Sequence, residues 1–418
     1  MRNISNNGLL VFLARSFLLL FCQLSFAQIE NDIANSCPIK SFPELFKKKD
    51  SLAVAKPLKN SFLLVLPVLF VQPANGLIYG AITQYTFKGK RPTDKYSSAF
   101  LMATYTTKKQ ILIDAKSNLL LNHNKLYLWG DWRYYKFSQD NYGLGSDIIP
   151  SGETNFSIES IAQPMKYDYV KFYQTASVLV TDNLFLGGGI HLDGYMNIKD
   201  QPLEIDNNKL TYHQEYNIAH RFNTNKYFIK GISANLIYDS RDNLVNPNHG
   251  LFANVNYRTN SGVGKNGSLS AVLFTELKYY IPLSKTNKQH VLAFWSYGQF
   301  LTKGNLPYLN LPAIGGDQDS RSGRGYTQGL FRGQNLCYFE TEYRFPISCN
   351  QLLSGTVFTN FTSTSNRDRN IHVLEYIQPA IGVGLRLLID KVTKTNVVAS
   401  YGVGRHSKSF YVNTGETF

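Results

Sequence analysis

The chain has 418 residues, of which 14% are Phe, Tyr or Trp and only 17% are charged, with a formal net charge of +14. So few charges, against about a quarter in soluble domains, exclude a disordered or coiled-coil protein. A mean hydropathy of −0.21, with no stretch beyond the N-terminus near the roughly 18 apolar residues a membrane helix needs, excludes a polytopic helical membrane protein. Many aromatics, 31 glycines and average hydropathy instead fit strands that alternate lipid-facing and lumen-facing residues.

The first 27 residues are predicted to be a signal peptide. Arg2 stands in the leader, an apolar stretch runs from Leu9 to Phe26 with Arg15 inside it, and Ser25-Phe26-Ala27 forms a small-x-small cleavage site. A membrane anchor would need a stop-transfer pattern, and none follows. Cleavage removes Arg2 and Arg15 and leaves residues 28–418 with a charge of +12. Residues 28–60 read as a periplasmic N-terminal tail, polar, with Pro38, Pro43, Pro57 and the run Lys47 to Lys49, and without the periodicity of a folded domain. The remaining cations are scattered, which points to outer-membrane lipid head groups rather than nucleic acid. Removing Cys22 leaves Cys37, Cys337 and Cys349, an odd number at neither metal-ligand nor redox spacing. A Cys37–Cys349 disulfide is open to the chain, and nothing in the sequence selects it. No metal or cofactor is expected.

From Ser61 to Phe418 the chain breaks into sixteen segments of about 10 to 14 residues separated by turn chemistry. They start near Ser61, Gly76, Lys95, Lys109, Lys125, Tyr167, Asn183, Tyr227, Leu251, Leu269, His290, Asn335, Leu352, Glu375, Thr395 and Lys408. Several alternate cleanly. Ile377, Pro379, Ile381, Val383, Leu385 and Leu387 share the face expected to meet lipid, with Gln378, Ala380, Gly382, Gly384 and Arg386 opposite. Leu269, Ala271, Leu273, Thr275, Leu277, Tyr279 and Ile281 do the same against Ser270, Glu276 and Lys278. Ser61 to Val71 is apolar on both faces, and His290 to Thr302 is mixed.

If both ends are periplasmic, the long connections, about 138–166, 199–226 and 303–334, follow the fifth, seventh and eleventh strands and all fall on the surface side. The periplasmic ones, including Thr181 to Asn183, Ser284 to Gln289 and Ser348 to Asn350, are short. The prediction is an all-β, sixteen-stranded antiparallel transmembrane barrel over 61–418. A soluble sandwich would need a fully buried face and no export signal.

Three stretches in order carry a family resemblance: Tyr238 to Asn243 with Asn246-Pro247 and Gly250; Gly315-Gly316, Arg324-Gly325-Tyr326 and Asn335 to Ile347; and Gly382 to Arg386 running on to Phe410-Tyr411, Gly415 and Phe418. Together they resemble the BamA/TamA outer-membrane assembly-factor superfamily, the bacterial surface antigens. The resemblance implies a bacterial outer-membrane location and a loop that folds back into the lumen, with the loop glycines Gly315 and Gly316 before it and Arg324 held by acids on the inner wall. Parity supplies those acids. Tyr338, Glu340, Glu342 and Arg344 share one face, and the aromatic face of Phe339, Tyr343 and Phe345 must meet lipid, so the carboxylates point inward, where a guanidinium forms charge-assisted hydrogen bonds. Glu342 is the expected partner and Glu340 the second. A solvated surface-loop cation is the plain alternative for Arg324.

Two departures stand out. Where the family usually offers an Asp, this chain has Asn360 within Phe358-Thr359-Asn360-Phe361-Thr362, which accepts a hydrogen bond but supplies no charge. Residues 28–60 are also too few for the family's periplasmic POTRA domains, so the chain reads as a POTRA-less member, with a periplasmic partner as their replacement. No catalytic residue is expected. No Gly-x-Ser-x-Gly elbow occurs, His191 shares an inward face with Asp193 without a recognisable Ser partner, and no helix follows Gly187 to Gly189 to make a phosphate loop.

Phe410, Tyr411, Gly415 and Phe418 resemble a C-terminal assembly signal on the last strand. The family's first and last strands form a weakly paired seam, here Ser61–Val71 against Lys408–Phe418, and Pro67 cannot donate to its ladder. The expectation is a non-catalytic barrel that inserts or translocates unfolded outer-membrane or secreted protein clients, or lipids, through that seam. The alternative is a passive channel or structural barrel.

Overall fold

A computed structural model describes residues 37–46, 60–72, 76–150, 155–201, 209–263, 268–285 and 287–418. The expected signal peptide, 1–27, lies outside the described residues, as does most of the tail. Sixteen strands form one antiparallel sheet: β1 (Ser61–Gln72), β2 (Gly76–Lys88), β3 (Tyr96–Thr106), β4 (Ile111–Leu121), β5 (Leu126–Asn141), β6 (Gln163–Thr181), β7 (Leu184–Asp200), β8 (Tyr227–Asp239), β9 (Gly250–Val263), β10 (Ser268–Pro282), β11 (Val291–Lys303), β12 (Asn335–Pro346), β13 (Leu353–Thr364), β14 (Gln378–Asp390), β15 (Thr395–Gly404) and β16 (Ser407–Thr414). Each strand pairs with its sequence neighbours, and the order runs from β1 to β16. The sheet curls into a barrel. At its periplasmic rim the Tyr96 hydroxyl of β3 donates to the Val392 carbonyl beyond β14 at 3.2 Å.

The alternation works as hydrocarbon on one side and a packed polar lumen on the other require. In β14, Ile381, Val383 and Leu385 are exposed while Gln378, Ala380 and Arg386 are buried. β1 and β11 also take definite faces. Leu63, Val65 and Leu69 are exposed and Leu64 is buried, and Trp295 and Tyr297 of β11 lie inside, each 1% exposed.

Three details differ from the sequence reading. β5, β6 and β7 run to 16, 19 and 17 residues, because their surface ends rise beyond the bilayer to wall the cap; β6 therefore begins at Gln163 rather than near Tyr167. β14 begins at Gln378, since 373–376 form a turn in which Glu375 accepts from the His372 N–H at 2.9 Å. Ala271 is buried rather than lipid-facing, because the β10–β11 register shifts between Ala271 and Val272.

The described parts of the surface connections 142–162, 201–226, 304–334 and 365–377 cap the barrel, and the third enters the lumen. A short helix, Tyr212–Ala219, opens with Thr211 accepting from the Gln214 N–H at 3.2 Å, and the Asn217 amide oxygen accepts from the Tyr308 N–H at 2.9 Å. At the opposite end a Cys37–Cys349 disulfide ties residues 37–46 to the β12–β13 turn. The Lys40 N–H donates to the Asn350 carbonyl at 3.0 Å and Glu44 pairs with Lys391 at 2.7 Å. The ion pair is exposed and worth at most about 1 kcal/mol, so the disulfide holds the segment. Cys349→Ser is expected to speed tryptic cleavage after Lys40 several-fold while the heat-resistant folded band on a gel persists; an unchanged cleavage rate would refute that role for the disulfide.

Candidate functional site

The connection between β11 and β12 folds back into the lumen and is stitched to three walls. On the β5 wall Arg133 donates from Nη2 to the Asp317 and Gln318 carbonyls at 2.8 and 3.0 Å. Gly315, at φ +72, starts the return, with its N–H donating to the Ser322 hydroxyl at 2.8 Å. The Gly316 N–H donates to the Ala313 carbonyl at 3.1 Å, so the loop glycines form its tight turn.

On the β12 wall, Arg324 meets both inward carboxylates. Its Nε donates to Glu340 Oε2 at 3.1 Å, its Nη2 contacts Glu340 Oε1, and the same nitrogen donates to Glu342 Oε2 at 2.6 Å. Arg324, Glu340 and Glu342 are each at most 1% exposed. The guanidinium carbon lies 3.5 Å from the centroid of the Phe358 ring, a cation–π contact strengthened by desolvation, and the Tyr338 hydroxyl donates to Glu340. Glu340, expected second to Glu342, thus makes the bidentate contact. Asn360 acts otherwise than expected, since its amide donates to the Arg324 carbonyl at 2.8 Å and grips the loop backbone instead of the guanidinium.

The third wall is β14 to β16. Gly325, at φ +102, lies so close that a Cβ would come within 2.8 Å of the Ala380 Cβ and 3.2 Å of the Gly404 nitrogen. Tyr326 follows it into a buried slot. Its hydroxyl donates to the Pro379 carbonyl at 2.6 Å and accepts from the Arg405 N–H at 3.0 Å, and its carbonyl accepts from the Tyr411 hydroxyl at 2.9 Å.

β16 ends at Thr414, and Gly415, at φ +76, turns the remaining residues inward. Phe418 therefore does not lie on the last strand. It is 5% exposed and stacks on Trp295 with ring centroids 5.4 Å apart, because the lumen offers an aromatic wall that the rim does not. Phe410 faces lipid at 66% exposure. The turn between β8 and β9 closes the same mouth. The Pro247 carbonyl accepts from Arg344 Nη1 at 3.4 Å and the Asn246 amide oxygen from Arg386 Nη2 at 3.2 Å. In that turn burial works to raise the Asp242 pKa, but the Asn248 and His249 N–H groups and Lys394 outweigh it and hold the value below the usual range. The turn's anchor is thus in place at neutral pH and is lost only as pH falls through that depressed value.

The seam edges follow from the ladders. The Lys88 N–H donates to the Asn60 carbonyl at 3.0 Å, so by antiparallel alternation even-numbered residues of β1 bond β2 and odd-numbered ones, Ser61 to Leu69, turn their polar groups to the open edge. Pro67 is among them, and its missing N–H is therefore missing from the seam. The Gly415 N–H donates to the Asn396 carbonyl at 2.8 Å, which leaves Lys408, Phe410, Val412 and Thr414 facing the edge of β16. Among the described residues no ladder joins β1 to β16.

Sequence reasoning missed Arg344, Arg386 and Glu416 as parts of the site, although the inward parity of both arginines is legible and each needs a buried anion. Above the tail, a cavity of about 320 Å³ lies between the loop and the walls, lined among others by Asp131, Arg133, Lys171, Asp193 and Arg258. His191 is buried beside it, with Nε2 2.8 Å from the hydroxyl of Ser233, a partner one strand away that sequence spacing did not reveal. No cluster of His, Cys, Asp and Glu able to hold a metal ion occurs among the described residues.

Lipid-facing aliphatics outside, charge pairs inside and a surface loop lodged in the lumen define a bacterial outer-membrane β-barrel. Residues 131–418 match the Omp85 superfamily domain. The chain belongs to the Omp85 superfamily. Its structure is similar to BamA from Haemophilus ducreyi lacking POTRA domains 1–3, with a TM-score of 0.51 and 15% identity over 85% of this chain and 69% of that one. It is also similar to CdiB from Acinetobacter baumannii, with a TM-score of 0.50 and 15% identity over 85% of this chain; the match spans 60% of CdiB's length. No curated protein matches the sequence.

Proposed function

We propose that this barrel is a non-catalytic assembly or translocation device of the outer membrane, which passes unfolded protein clients through the seam between β1 and β16. The observation that carries the reading is the pair of unladdered edges beside an occupied lumen. Loop 304–334 and the C-terminal tail occupy the lumen around its cavity, so a client's nearest main-chain groups without a ladder partner are those of the odd-numbered residues Ser61 to Leu69 and of Lys408, Phe410 and Val412. An exposed strand edge templates an incoming strand by main-chain hydrogen bonding. Pro67 weakens closure of the seam from the β1 side without disturbing the β1–β2 ladder, which is the position an edge strand tolerates. The Arg324–Gly325–Tyr326 segment braces the wall against which the seam moves. Export by residues 1–27 and a periplasmic partner belong to the same proposal.

The test is reconstitution. The purified full chain in liposomes is expected to accelerate the appearance of the heat-resistant band of an added unfolded barrel. A disulfide engineered across the two edges through the outward pair Val65→Cys and Phe410→Cys is expected to abolish that acceleration until it is reduced. Acceleration that survives the cross-link would sink the seam mechanism. A preparation that only conducts ions would support the passive channel.

A further inference from the structure

Three guanidinium groups and three carboxylates alternate without a break from the lumen loop to the end of the chain. Glu340 and Glu342 clasp Arg324. Glu342 Oε1 also accepts from Arg344 Nε at 2.8 Å, and that nitrogen lies 3.7 Å from Glu416 Oε2. The Glu416 carboxylate accepts from Arg386 Nε at 2.8 Å and Nη2 at 2.6 Å, and from the Asn396 amide at 2.6 Å. Two main-chain contacts run beside this row. Arg344 Nη2 donates to the Phe418 carbonyl at 2.9 Å, and Arg321 Nη2 donates at 2.8 Å to the Thr414 carbonyl, which faces the seam. All six charged side chains are at most 3% exposed.

We propose that Glu416 is a positioning residue that couples the lumen loop to the last strand of the seam, so that the tail and the loop are held or released together. The physical reason is sharing. Arg344 serves Glu342 on the loop side and Glu416 on the tail side, and in a desolvated interior a charge that loses one partner weakens the whole network rather than one link. Withdrawing Gly415–Phe418 leaves Arg386 buried without its anion and Arg344 with Glu342 alone. Withdrawing the loop leaves Glu340 and Glu342 facing each other and draws Arg344 from Glu416 toward Glu342. The end of β16 therefore senses whether Arg324 is seated. This coupling rests on the seam reading for its purpose, but its measurement needs no client.

The full chain in liposomes, with Cys22→Ser and Cys337→Ser to remove the thiols outside the Cys37–Cys349 bond, carries one of two buried reporters, Thr417→Cys in the tail or Ser322→Cys in the loop. Reaction with a small water-soluble maleimide is followed over time. Glu416→Gln, which keeps the shape and removes the charge, is expected to raise both labelling rates by roughly tenfold, since breaking a buried pair strands its partners. Arg324→Ala is expected to raise the rate at Thr417→Cys as well. A rise confined to the tail reporter, or no rise at either, overturns the coupling. Should Glu416→Gln yield no heat-resistant folded band, Glu416→Asp keeps the charge on a shorter arm, and the two rates must still move together by a smaller factor; independent changes again overturn the proposal. Linked labelling with no client folding would refute the seam reading alone.

Discussion

Arg324→Ala is expected to destabilise the barrel by about 3–5 kcal/mol, the cost of breaking a buried ion pair by removing one partner. An exposed pair would be worth no more than about 1 kcal/mol, and burial decides between the two figures, because Arg324 is 1% exposed and Glu340 fully buried. Without the guanidinium, Glu342 keeps Arg344, whereas among the described residues Glu340 keeps only the Tyr338 hydroxyl. Arg324→Lys should fall between wild type and alanine, since an ammonium supplies the charge but not the planar fork that spans both carboxylates. The measurement is the urea midpoint at which the heat-resistant band is lost. An alanine variant with an unchanged midpoint would show that the loop is held by its other walls.

Gly325→Val is the second substitution with a large expected effect. Its φ of +102 is one that a β-branched residue adopts only under strain, costing about 1–2 kcal/mol. The added Cβ would also sit 2.8 Å from the Ala380 Cβ, and overpacking adds about 1–3 kcal/mol. The wall has no slack, because a Cβ at Gly402 would itself meet the Gly325 nitrogen at 2.7 Å and one at Gly404 would meet the Tyr326 ring. The combined strain and overpacking should lift Tyr326 from its slot. Protection of the Arg405 amide, whose N–H the Tyr326 hydroxyl accepts, reports this directly in hydrogen exchange. Full protection in the valine variant would mean that the loop adapts without leaving the wall.

Strand positions were legible because a membrane barrel writes them twice, once in the period-two alternation and once in the turns. Asn183, at φ 62, closes the turn between β6 and β7 where Asp182-Asn183 breaks the pattern, and in β14 the exposed Ile381, Val383 and Leu385 alternate as read with the inward side. The inward face of Glu340 and Glu342 was legible for the same reason. Which carboxylate takes the bidentate contact was not, since parity places both inward and only the height of the loop selects between them.

Strand number, most strand faces and the surface side of the long connections are thus written locally in the chain, whereas the faces of β1 and β11 and the burial of Ala271 at its register shift are not. What is written locally depends on a short period and on the bilayer as solvent. The path of Gly415–Phe418, the pairing of Glu416 with Arg386 and Arg344, and the Cys37–Cys349 bond emerge only in the folded barrel. Those contacts join residues 30 to 312 positions apart, and the curling of the sheet into a barrel, which no local pattern encodes, is what brings them within reach.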